Sequence, residues 1–92
     1  MSERKNYDKK LQKVGNLFAE KRRVITHSSR EYFIMERSET IFNYEHWISE
    51  RHLASIEEGK TLPSIEMLIK LSHAFETDAV DLFAEVLELL QE

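Results

Sequence analysis

A chain of 92 residues with 41% apolar and 33% charged side chains suits one compact domain with a single modest core, and excludes a disordered or fibrous polymer. The absence of cysteine and the count of two glycines and one proline exclude disulfides, thiolate chemistry, cysteine-type zinc fingers and glycine-rich phosphate loops. The net charge of −4 is unevenly spread: residues 1–30 hold nine Lys/Arg against three Asp/Glu, a balance of +6, and residues 31–92 hold four against fourteen, a balance of −10. A basic segment on an acidic body can form a nucleic-acid footprint, because local potential outweighs the total. A solvated basic helix without a partner has the same composition.

The first helix is expected from about Asp8 to Arg23. Leu11, Val14, Leu17 and Phe18 recur at spacings of three and four, and Arg22 and Arg23 sit in the last turn, where cations complement the helix dipole. Thr26 to Ser29 reads as a short connection. A second helix starts at Ser28 or Ser29 and carries Tyr32 and Phe33, with Arg30 in its first turn. Ser38 to Trp47 has two readings: a further short helix capped by Ser38, or an ordered loop packed by Ile41, Phe42 and Trp47.

The next signals are sharper. Ser49 suits an N-cap, and Ile48 with Leu53 fits a hydrophobic staple across it. Leu53 and Ile56 mark the core face, Glu50, Arg51, His52 and Ser55 the outer face, and Gly59 a left-handed stop. Ser64 caps a fourth helix to about Phe75, whose predicted buried stripe is Ile65, Leu68, Ile69, Leu71 and Phe75. Asp78 caps a last helix, with Asp81 three residues on. Val80, Phe83, Val86, Leu87 and Leu90 are predicted to share one apolar face, widened by Leu82 and Leu89. No strand pattern competes. No apolar run approaches a membrane span, and the N-terminal MSERKNYDKKLQKVG is too polar for a secretory signal, so a cytoplasmic protein with no membrane partner is expected.

ISERHLASIEEGKTLPSIEMLIKLSHAFETDAVDLF, residues 48–83, resembles the Cro/C1-type, or Xre-like, helix-turn-helix family. The matching elements are Ile48-Ser49, Ile56-Glu57-Glu58-Gly59-Lys60 and Pro63-Ser64. VGNLFAEKRR, residues 14–23, looks like that family's first helix. The middle departs from it, with about ten extra residues between Arg23 and Ile48. One alignment places the second family helix at Ser29–Glu36 and the insertion at 37–47; the other places the insertion at 24–35 and the helix at Ser38–His46. The first is preferred, because Ser29-Arg30-Glu31 then falls where the family has Ser-Gln-Glu. The resemblance implies an all-α, lambda-repressor-like bundle of five helices, or six if Ser38 opens another. It would form a single domain over 1–92, with a C-terminal extension at 84–92.

The resemblance also implies a role for the outer face. The helix after Ser49 would lie in the major groove of double-stranded DNA, with Ser49, Glu50, Arg51, His52 and Ser55 as candidate base contacts. Arg51 leads, since a guanidinium can pair with guanine O6 and N7. Arg22, Arg23, Arg30, Lys60 and Thr61 are candidate phosphate contacts, although Arg22 and Arg23 could equally pair with carboxylates. Phe83, Val86, Leu87 and Leu90 are the candidate interface of a homodimer. The implied function is a sequence-specific transcriptional regulator, a repressor on a palindromic operator. The alternative is a protein-interaction module on the same fold, an antitoxin or anti-regulator, favoured by Glu50, Glu57 and Glu58. The four histidines show no metal spacing, and no nucleophile and base converge, so no metal, cofactor or enzymatic activity is expected. Glu57, next to the core position Ile56, is expected in a structural hydrogen bond or ion pair.

Overall fold

The computed structural model describes residues 2–92, with side chains from Lys9 onward. It contains α1 (Ser2–Ile25), α2 (Arg30–Thr40), α3 (Glu50–Glu57), α4 (Ile65–Ala74) and α5 (Ala79–Gln91), and no strand among the described residues. The all-α expectation of five helices is met. The first helix begins earlier and ends later than its apolar periodicity predicts.

Each later helix starts where a side-chain oxygen accepts from the first-turn N–H groups. Ser29 accepts from Tyr32, Ser49 from His52, Ser64 from Met67, and Asp78 from both Val80 and Asp81. Such a cap contributes about 1 kcal/mol, because those N–H groups have no partner inside the helix. Helix α3 ends at Glu57, capped by Glu58, and the predicted stop Gly59 follows with a φ of 75°, which lets the Gly59 and Lys60 amides donate back to Ile56 and Ser55.

Helices α3 and α5 pack on α1, α2 packs on α3, and α4 on α5. A file of rings runs through the core. Phe18 of α1 stacks on Phe75 at the end of α4, Phe75 on Phe33 of α2, and Phe33 meets Trp47 edge-on, all with centroids near 6 Å. Phe42 then stacks on Trp47 at 4.7 Å. The segment between α2 and α3 is therefore a packed loop, and no helix starts at Ser38. Helix α2 runs on to Thr40, and the Ser38 hydroxyl donates to the Glu45 carbonyl at 2.7 Å. The Trp47 indole N–H donates to the Ile34 carbonyl at 3.1 Å, so the ring is buried with its polar atom satisfied.

Two predicted apolar stripes are corrected. On α4, Leu68, Leu71 and Phe75 are buried, but Ile65 is 67% and Ile69 44% exposed. On α5, Leu82 and Val86 are buried and Leu89 and Leu90 pack partly against the same core, whereas Val80, Phe83 and Leu87 face out. Helix α5 thus has two apolar faces, and one of them, with Val86 and Leu90, covers the chain's own core. The outward residues of α4 and α5 meet along an apolar groove lined by Ile65, Leu68, Ile69, Ala79, Val80 and Phe83.

Candidate nucleic-acid interface

Helix α3 is short and two-sided. Leu53, Ile56 and Glu57 are buried, while Ser49, Glu50, Arg51 and His52 are exposed and Ser55 is half-buried. Positions 53, 56 and 57 lie on one side of a 3.6-residue helix, so the polar residues at 51, 52 and 55 lie on the others, while Glu50 is exposed at the start of the buried side, where α3 opens. The Ser49 cap fixes where the helix begins, and the staple pair Ile48 and Leu53 is buried, which sets the angle at which the chain enters it. Gly15 lets α1 come close to the end of α3. A Cβ built there would lie 2.7 Å from the Ile56 carbonyl oxygen and closer still to that of Glu57.

Beside α3, the start of α2 opens a polar cleft of about 600 Å³ lined by Arg22, Arg23, His27, Ser28, Ser29, Arg30, Glu31 and Glu50. Its floor is an ion-pair cluster. The Arg22 Nε and Nη2 donate to the two Glu57 oxygens at 2.7 and 3.0 Å, and Nη1 donates to the Ser28 carbonyl at 3.1 Å. The Arg30 Nε donates to the same Glu57 Oε1 at 2.9 Å. One carboxylate on α3 thereby joins α1 and α2.

The predicted phosphate contacts separate into two groups. Arg22 is 6% exposed and its guanidinium is turned inward onto Glu57, so it takes the carboxylate pairing that its sequence allowed and does not reach solvent as a phosphate ligand. Arg23, next in sequence, is exposed, and Arg30 is half-buried at the mouth of the cleft. Lys60 and Thr61 are exposed in the loop after α3; Lys60 pairs with Glu58 at 3.1 Å, and the Thr61 hydroxyl donates to the Leu62 carbonyl at 3.3 Å. Glu57 makes the structural ion pair expected of it. His27, Ser28 and Ser29 complete the cleft, which the sequence did not signal beyond the cap at Ser29.

Residues 47–82 match the family model described as Helix-turn-helix, a span that runs from Trp47 through α3 and α4 into α5. The Cro/C1-type resemblance is borne out over that span. No curated protein and no solved structure matches the chain. Among the described residues no helix is long and apolar enough to cross a membrane.

Proposed function

We infer that the chain is a sequence-specific transcriptional regulator, a repressor that meets a palindromic operator as a homodimer. The observation that carries this reading is the two-sided α3. Its buried side is fixed to α1 and α2, and its remaining positions offer Ser49, Glu50, Arg51, His52 and Ser55 at or beside a cleft with three arginines. Such a helix can enter a major groove while Arg23, Arg30, Lys60 and Thr61 meet the flanking phosphates. Arg51 reads a base edge, because an exposed guanidinium near the helix start has both the reach and the fork geometry for guanine. The outward face of α4 and α5 supports the dimer: Phe83 and Leu87 belong to it, and Ile65, Ile69 and Val80 extend it.

Selection from randomised duplex DNA, read by sequencing, is the test. The expected product is an inverted repeat whose half-sites are about one helical turn apart. Failure to enrich any site would overturn the reading. A second reading, a protein-interaction module on the same fold, is favoured by Glu31 and Glu50, which place two carboxylates in the cleft. It predicts no enrichment.

A further inference from the structure

Glu57 stands at the meeting point of three helices. Its side chain is 2% exposed and faces two guanidiniums, Arg22 and Arg30. One negative charge against two positive leaves an excess of +1 on this cluster, while Arg23, Glu31 and Glu50 around the cleft add one cation and two carboxylates. That excess lies at the N-terminal end of α2, where the helix dipole adds positive potential and an anion is favoured. Glu58 offsets it weakly: its Oε2 is 4.0 Å from Arg30 Nη2, and its Oε1 lies 3.1 Å from Lys60. Glu57 engages Arg30 through Nε, while the terminal nitrogens of Arg30 make no hydrogen bond among the described residues.

We propose that Glu57 is a positioning residue for DNA, holding Arg30 by Nε so that its terminal nitrogens meet a backbone phosphate at the start of α2. The proposal rests on the DNA-binding reading. Because Glu57 belongs to α3, the phosphate anchor and the recognition helix then keep a fixed separation. An incoming phosphodiester balances the cluster at two positive and two negative charges. A Glu57 that only stabilised the fold would leave Arg30 able to meet phosphate in any variant that still folds.

The test is the salt dependence of binding to mixed-sequence duplex DNA by the wild type, Arg30→Gln and Glu57→Gln, each corrected for the folded fraction seen by circular dichroism. One lost phosphate contact lowers the slope of log affinity against log salt by about 0.9. Arg30→Gln and Glu57→Gln are both expected to lose that amount per chain. The second result runs against simple charge counting, since removing a carboxylate makes the protein more positive. Glu57→Asp keeps the charge but shortens the reach, and it carries the same expectation if Glu57→Gln does not fold. A folded Glu57 variant with the wild-type slope overturns the proposal and leaves DNA binding standing. An unchanged slope in Arg30→Gln overturns the anchor itself. Wild-type protein without salt-dependent duplex binding overturns the DNA reading together with the proposal.

Discussion

At the scale of single residues, the proposed function gives stability and recognition to different arginines. Arg22→Ala leaves Glu57 buried with half of its charge partners, and breaking a buried pair from one side costs about 3–5 kcal/mol. Urea unfolding should show that loss. Arg51 is exposed on the outer side of α3, so Arg51→Ala should change stability by less than about 0.5 kcal/mol. The same variant should lose roughly 1–3 kcal/mol of discrimination at one base pair, measured by competition against point-mutated operators. Unchanged site preference would remove Arg51 from base reading. Gly15→Ala is a third case. Alanine favours a helix interior by about 1 kcal/mol, but its Cβ meets the backbone carbonyls that end α3. We expect a net loss of about 1–3 kcal/mol and a lower urea midpoint. The inward turn of Arg22 was legible in part. It lies four residues after Phe18, on the buried stripe of α1, as Glu57 lies four after Leu53 on the stripe of α3. Two opposite charges on two core-facing stripes mark a buried pair, whereas the run Arg22-Arg23 alone cannot say which arginine points in.

At the scale of elements, the caps were plain in the sequence because they are local. Ser29, Ser49, Ser64 and Asp78 each bond to an amide two or three residues on. The end of α2 was not legible, because long-range partners decide it. Buried Arg37 binds Glu36 through Nε and Nη2, and its Nη1 reaches across to Glu76 at 2.7 Å and the Ala74 carbonyl at 3.3 Å. This clamp ties α2 to the C-terminal end of α4 and carries the helix past the predicted stop. The Arg37 hydrogen bond to Glu36 holds that carboxyl below its ordinary pKa. A lowered folded-state pKa stabilises above the unfolded value and is lost as pH falls through the folded one. Stability should therefore drop on acidification below the ordinary carboxylate range, and Glu36→Gln should flatten that part of a plot of denaturant midpoint against pH. An equally steep profile in the variant would place the sensitivity elsewhere. The loop that follows is held by Trp47, Phe42 and Ser38, so backbone order parameters over 41–48 should stay above about 0.6, the level below which a backbone counts as flexible.

At the scale of the whole molecule, the two faces of α5 predict different consequences for neighbouring residues. Leu82 and Val86 are buried in the chain's own core, with α5 packed on α1 and α4, so part of the C-terminal apolar run is already covered. The sequence could not divide the run, because apolar residues at 80, 82, 83, 86, 87, 89 and 90 form one stripe about half of the helix circumference wide, and periodicity alone does not say which flank of so broad a stripe meets the core. What stays outside is Val80, Phe83 and Leu87, next to Ile65 and Ile69 of α4. Burial of such surface contributes about 25 cal/mol per Å² of apolar area, and a two-fold partner would cover the patch with its own copy. The same symmetry would set two α3 helices facing one side of the DNA, as half-sites about 34–36 Å apart require. Sedimentation from low to high micromolar concentration should therefore show a dimer, and a single species at the 10.9 kDa chain mass throughout would refute it. Leu87→Glu and Phe83→Glu should each abolish the dimer and weaken operator binding while helical content is retained. Val86→Ala should do the reverse. It opens space in the core, lowers unfolding stability by about 0.5–3 kcal/mol, and leaves association of the folded chain unchanged. If Val86→Ala dissociates the folded dimer while Leu87→Glu does not, the interface lies on the other face of α5 and the chain must open to form it.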